Sequence, residues 1–194
     1  MTPVGNSDDY AYSVAIQTDG KIVAAGKSIS TSNEDFAVVR YNADGSLDTT
    51  FGTGGKVTTN IMFNDSASAV VIQPDGKIVA AGSSTNTVSY DFALVRYNAN
   101  GSLDNSFGTG GKIQTDVGGI DLLSSLALLP DGRIVAAGAS LGATDYDFAL
   151  VRYNDDGSLD TSFDTDGKVT TPILSADDRA QAVALQPDGR IVAA

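Results

Sequence analysis

Apolar residues along this chain fall in short, β-branched runs broken by turn residues, a pattern of strands and not of helices. The clearest stretch lies between Asp65 and Ile120. Its first run, at 68–73 (Ser-Ala-Val-Val-Ile-Gln), suits a strand buried on both faces. Pro74-Asp75-Gly76 interrupts it, and Lys77-Ile78-Val79-Ala80-Ala81 resumes. Asp-Gly between two apolar runs predicts a two-residue hairpin turn, because aspartate and glycine tolerate positive φ. These runs are strands a and b. A polar stretch then leads to Asp91-Phe92-Ala93-Leu94-Val95-Arg96-Tyr97, whose aromatic and branched residues predict strand c. Segment 98–111 is the longest connection, near the upper length for a loop without internal order. Leu103 and Phe107 stand four apart, which predicts one helical turn holding both on the same side. Asp104 would cap nearby amides there, and Gly108 would end the turn. Lys112-Ile113-Gln114-Thr115 is a short polar strand d, as suits an outer edge.

The same parts recur. Asp-Gly-Lys/Arg-Ile-Val-Ala-Ala-Gly stands at 19–26, 75–82 and 131–138, and again without its glycine at 188–194, with spacings of 56, 56 and 57 residues. Strand a recurs at 13–17, 124–129 and 181–186, strand c at 35–41 and 147–153, and strand d at 56–59 and 168–171. Four short antiparallel strands per repeat predict an all-β fold of β-propeller blades on a 56-residue period. The boundaries expected are blade 1 at 9–59, blade 2 at 65–115, blade 3 at 121–171 and a partial blade 4 at 178–194, about three and a half blades in one array. Alanines concentrate on strands a and b, and bulkier Phe, Arg and Tyr on strand c, the taper that radial packing needs. A β-solenoid with two coils per period is the alternative, but parallel stacking does not call for a hairpin turn in each repeat.

Composition narrows the function. Hydrophobic residues at 42% and charged residues at 19% fit a folded protein rather than a disordered one. The net charge of −12, with 12 Lys plus Arg scattered thinly, argues against nucleic acid as a partner. Cysteine and histidine are both missing, which removes disulfides, thiolate chemistry and the commonest general base. No apolar run approaches the length of a membrane span, so insertion in a membrane is not expected, and residues 1–5 do not read as a signal peptide.

The run Asp91 to Asn98, then Gly101-Ser102-Leu103-Asp104, Phe107-Gly108 and Gly110-Gly111-Lys112, followed one repeat on by Leu129-Pro130-Asp131-Gly132-Arg133-Ile134-Val135, closely resembles the delta-60 repeat family. The resemblance covers nearly the whole chain. It departs at Asn100, where the other copies have Asp44 and Asp156, and at Asp164 and Asp166, where they have glycine. It implies a propeller similar to the kelch and NHL types, in bacterial proteins that are secreted or surface-associated, so an extracellular or cell-surface location is expected. It implies no catalytic activity.

Strands a–d three times, plus a final a–b pair, make fourteen strands and leave the last blade half built. An unpaired strand b is an open edge. The arithmetic predicts a piece of a longer protein, or closure by edge pairing with a second copy; a homodimer would need rearrangement, since two a–b ends would meet.

In such blades the a–b and c–d connections leave one face and the b–c and d–a connections the other. The former are near-copies of one another. The b–c segments (27–34, 83–90, 139–146) and the d–a segments (60–64, 116–120, 172–177) differ between repeats. Variation on a single face of a rigid scaffold is where binding of a protein or glycan is expected, although unconstrained loops also drift. Tyr10, Phe63, Tyr90 and Tyr146 are the aromatic candidates for ligand contact. Asp35, Asp91 and Asp147, with Arg40, Arg96 and Arg152, recur on strand c; each arginine is expected to pair with an aspartate such as Asp48, Asp104 or Asp160 and so fasten the long loop. Asp156, Asp160, Asp164 and Asp166 are the oxygen type that calcium takes. No loop completes the twelve-residue calcium pattern, however, and the expectation is no metal and no cofactor. A catalytic site needs unlike groups converging on one point, whereas repeats give rings of identical ones. The chain is therefore expected to be a non-catalytic scaffold or interaction module; the alternative is a carboxylate-based propeller hydrolase or lyase acting on glycans.

Overall fold

The computed structural model of the protein describes residues 2–30 and 33–194. Met1, and Thr31 and Ser32 within the first b–c segment, lie outside the described residues. The described chain is all-β. Blade 1 comprises β1 (Asp9–Ile16), β2 (Ile22–Ile29), β3 (Glu34–Tyr41) and β4 (Lys56–Thr59). Blade 2 comprises β5 (Asn64–Ile72), β6 (Ile78–Thr85), β7 (Tyr90–Tyr97) and β8 (Lys112–Thr115), and blade 3 β9 (Asp121–Leu128), β10 (Ile134–Leu141), β11 (Tyr146–Tyr153) and β12 (Lys168–Thr171). A final two-stranded sheet pairs β13 (Val183–Leu185) with β14 (Ile191–Ala193). Within each full blade the strands pair antiparallel in sequence order, with the short strand d outermost. Blades 1 and 2 touch edgewise at one parallel pair, Glu34 with Asn64.

The apolar runs are continuous because the blades stack face to face. Side chains alternate across a strand, so a strand between two blades needs apolar residues at both parities. In β6, Val79 and Ala81 pack into the core shared with blade 3, whereas Ile78 and Ala80 pack into the core shared with blade 1. In β7 the same division sends Phe92 and Leu94 one way and Ala93, Val95 and Tyr97 the other. The blade boundary also carries a buried polar link: Tyr97 and Thr59 share a 2.7 Å hydroxyl–hydroxyl hydrogen bond, and the Tyr153 hydroxyl donates to Thr115 at 2.9 Å. At the first strand, by contrast, Val14 and Ile16 lie exposed.

Several local expectations are corrected. The a–b turn is not a two-residue turn with Asp and Gly both at positive φ. Gly76 N donates to Gln73 O, Gln73 N to Lys77 O, and Gly76 alone takes positive φ (86°), so three residues form the loop. A type I turn closed by a left-handed glycine satisfies the hairpin while aspartate keeps ordinary φ and caps the amide of Lys77 at 3.1 Å. The b–c segments are not long loops. Strands b and c continue to Ile29↔Glu34, Thr85↔Tyr90 and Leu141↔Tyr146, leaving four-residue connections at 30–33, 86–89 and 142–145. The backbone ladder continues through polar residues because pairing, unlike packing, is indifferent to side-chain polarity. Nor does the c–d loop contain a helical turn. Phe107 N donates to Asp104 O and Gly111 N to Phe107 O in successive turns, and the two apolar anchors separate: Phe107 enters the core between blades 2 and 3, while Leu103 packs against that between blades 1 and 2.

Strand a is longer than expected and carries a β-bulge in each full blade, with Tyr12, Ser68 and Ser124 as the extra residues. Gly26, Gly82 and Gly138, the last residues of the repeated motif, face the bulge. Any Cβ at Gly82 would collide with the carbonyl oxygen of Ser66. That close approach, rather than positive φ, is what requires glycine there.

Candidate functional site

The two faces are built differently. On the a–b/c–d face, Arg40 Nε donates to Asp48 Oδ2 at 2.8 Å, Arg96 to Asp104 at 2.8 Å and Arg152 to Asp160 at 2.7 Å. Each guanidinium also lies 4.5–4.6 Å from the ring centre of Phe51, Phe107 or Phe163, clamping the long loop by charge and by a cation–π contact. The a–b turn contributes a second cation to the same carboxylates: Lys21 at 3.9 Å from Asp48, Lys77 at 3.5 Å from Asp104, Arg133 at 2.7 Å from Asp160. Burial would raise Asp104, but the Ser106 hydroxyl and amide, with Arg96, outweigh it and bring its pKa down to about 2. Asp160 is held well below the ordinary range, first by the Ser162 hydroxyl and then by Arg133. The loops also link successive blades: Gly52 N donates to Asn100 O at 2.8 Å and Gly108 N to Asp156 O at 2.9 Å.

Three of the four loop carboxylates singled out for calcium accept hydrogen bonds on this face. Asp156 Oδ1 accepts from the Ser158 amide and hydroxyl, Asp160 from Ser162 and both arginines, and Asp166 from the Lys168 amide. Asp164 takes a φ of 44° on the exposed loop. Asp35, Asp91 and Asp147 do not pair with the arginines; they stand toward the other end of strand c. Asp35 accepts from the side-chain amides of Asn33 and Asn60, at 3.0 and 2.9 Å.

On the b–c/d–a face the connections touch one another. Phe63 N donates to Thr85 O at 3.2 Å, Leu141 N to Ile120 O at 2.9 Å, and Tyr146 N to Asp177 Oδ1 at 3.1 Å. The four aromatic candidates all belong to this end, Tyr10 on blade 1, Phe63 and Tyr90 at blade 2 and Tyr146 on blade 3. Tyr10 stacks with Tyr12 (centroids 6.2 Å apart) under Lys27, and Tyr146 lies under the Arg179 guanidinium at 3.9 Å. Phe63 and Tyr90 stand exposed. Among the described residues no ring pair joins the four.

What the aromatic search passed over is aliphatic. Met62, Val88, Ile173 and Leu174 are exposed on the same connections, Val88 to 88%. Their signal was present as apolar residues inside polar loop segments. Also missed was a carboxylate group: Asp91, Asp116 and Asp121 present oxygens within 4.8 Å of one another, the one such group of three or more acids among the described residues. Burial, and then the neighbouring Asp116, push the pKa of Asp91 up. A shallow groove of about 500 Å³ lies elsewhere, along the outer rim beside Lys56, Val57 and Gly101, and no acidic residue lines it.

Against known proteins, a family described as "Domain of unknown function (DUF5122) beta-propeller" matches at 17–51, 73–107 and 129–163. Each matched segment runs from the a–b turn to the phenylalanine of the c–d loop. No curated protein matches. Among solved structures, the endo-arabinase from Bacteroides thetaiotaomicron VPI-5482 is similar over 98% of this chain and 70% of its own, at 12% identity and a TM-score of 0.50. A likeness at that identity carries the fold.

Proposed function

The chain belongs to the DUF5122 β-propeller family, and from that premise we propose that it is a non-catalytic interaction module that binds a partner protein through its b–c/d–a face. Apart from those on the first strand and the last sheet, the exposed large apolar residues share one placement, and that observation carries the reading. Met62, Phe63, Val88, Tyr90, Ile173 and Leu174 all stand on that face, while the a–b/c–d loops are held by the repeated arginine clamps. Exposed apolar residues grouped on one face mark interaction surfaces, and aliphatic ones favour a protein over a glycan. The mechanism is a rigid stack presenting varied short connections. The repeats are of the delta-60 type, and the module belongs to a secreted or surface-associated bacterial protein.

The second reading, a carboxylate-based hydrolase or lyase acting on glycans, draws on the chain's aspartates and on the name of the endo-arabinase neighbour. The test compares the wild-type chain with a Phe63→Asp/Val88→Asp/Leu174→Asp variant, each immobilised and exposed to extracts of the producing organism. Specific retention of a protein by the wild type and its loss in the variant supports the module. Equal retention by both, or release of reducing sugar from arabinan by the wild type, overturns it.

A further inference from the structure

At the boundary between blades 1 and 2, the repeat positions occupied by Asp35, Asn60 and Asp65 form a satisfied polar cluster. Asn60 Nδ2 bridges Asp35 Oδ1 (2.9 Å) and the carbonyl of Met62 (2.7 Å). Asp65 accepts backbone amides at both oxygens, from Ile61 to Oδ2 (2.6 Å) and from Met62 to Oδ1 (3.3 Å) and Oδ2 (3.2 Å). Fifty-six residues on, the same positions are Asp91, Asp116 and Asp121. The bridging amide has become a third carboxylate, and the donor that held the cluster together is gone.

The consequences are visible at each member. Asp91 retains one long bond, from Ser89 Oγ at 3.3 Å. Asp121 Oδ2 accepts from the amides of Val117 (2.6 Å) and Gly118 (3.4 Å), but Asp121 Oδ1 is buried with no hydrogen-bond partner, on a side chain that is wholly buried. None of the three acids forms an ion pair among the described residues. The nearby Lys168 gives its Nζ to the backbone carbonyl of Asp116 at 2.7 Å. A buried oxygen with no donor, beside two further carboxylates, calls for a cation.

We propose that Asp91, Asp116 and Asp121 bind a calcium ion at the boundary between blades 2 and 3. Ligands in this group are oxygen only, which selects a hard ion over transition metals. Oxygens up to 4.8 Å apart span opposite sides of an ion with bonds of about 2.4 Å, the calcium range, whereas magnesium requires a tighter, near-octahedral shell. Asp116 is exposed, so the ion reaches the site from solvent and water completes its coordination. The ion ties the d–a connection at 116–120 to the start of β7. Asp91 lies inside a segment that matches the family, Asp116 and Asp121 lie between two such segments, and of the three only Asp116 departs from its counterpart one repeat earlier. The third boundary places Pro172 at the bridging position and has no counterpart.

This inference stands apart from the partner-binding reading, because it is read with no partner present. The whole chain is titrated with calcium chloride by calorimetry and melted in calcium, in magnesium and in EDTA, beside Asp116→Asn and Asp164→Asn. Asp116→Asn restores the residue type of Asn60 and so keeps the fold. The wild type should bind one calcium ion at this site, and its Tm should rise on the order of 5 °C at calcium a hundredfold above Kd. Asp164→Asn should keep that rise. Asp116→Asn should lose it, while melting in EDTA at or above the wild-type temperature. No rise in the wild type, a rise that survives in Asp116→Asn, or an equal rise with magnesium would overturn the assignment.

Discussion

Arg96 reaches out of its own blade: its Nη1 donates to the carbonyl oxygen of Asp155, in the next blade, at 2.5 Å. Arg40 makes the equivalent bond to Ala99 O at 2.6 Å. Each arginine therefore does two things at once. Its Nε fastens the c–d loop of its own blade through Asp104 or Asp48, and its Nη1 grips the following loop. Arg152 makes the first bond and, among the described residues, no bond across a boundary.

That difference sets an order of stability. Arg96→Ala leaves the buried Asp104 without its closest cation, with Lys77 alone at 3.5 Å, and the Asp155 carbonyl without its donor. Removing one member of a buried pair costs about 3–5 kcal/mol, which lowers Tm by about 10 °C or more in a chain of this size. Arg152→Ala, more exposed and confined to one blade, should cost clearly less. Scanning calorimetry of the two variants checks the order; equal losses would contradict the two-blade role of Arg96.

Acid should attack the same clamps. The Asp104 pKa in the folded chain, about 2, lies below its unfolded value, so its contribution is complete above the ordinary carboxylate range and is lost as pH falls through the folded value. Stability should hold above about pH 5 and drop between about pH 4 and 2, with Asp104 supplying on the order of 2 kcal/mol of the drop. Asp104→Asn should be less stable at pH 7 and show a shallower acid slope in urea melts. A slope as steep as the wild type's would assign the acid sensitivity elsewhere.

Gly82→Ala tests the bulge. The added methyl meets the Ser66 carbonyl and must push strand a away from strand b at the centre of blade 2. Overpacking of this kind costs about 1–3 kcal/mol, more than the change in strand propensity alone. Gly45→Ala, where a Cβ meets nothing within 4 Å but φ is 84°, separates steric from conformational cost. A Gly82→Ala chain as stable as the wild type would remove the close-approach explanation.

Much of this architecture was legible because it rests on periodic signals. The strand d positions 56–59, 112–115 and 168–171 emerge from the sequence with the bounds the fold has, since short polar edge strands end at glycine on one side and a variable loop on the other. Strand a begins earlier and strand b ends later in the fold than their apolar runs, because the ladder and the bulges continue where hydrophobicity stops. Leu103 and Phe107 misled: a spacing of four reads as one helical face, but glycine-rich turns can point such residues to opposite sides of a blade. The site was harder to read. Asp91, Asp116 and Asp121 are up to thirty residues apart and belong to two blades, and only the substitution of Asp116 for the equivalent Asn60 marks the position in the sequence.

The two faces make opposite demands on the backbone, and native-state hydrogen exchange followed by mass spectrometry measures both at once. The account predicts that the c–d loop amides of Asp104, Phe107, Gly108 and Gly111, bonded to β7, within the loop or to the next blade, exchange nearly as slowly as those of β6 and β7. Amides at 86–89, 116–120 and 172–177 should exchange far faster. Long c–d loops that exchange as quickly as the b–c and d–a connections would contradict a rigid stack that presents one adaptable face.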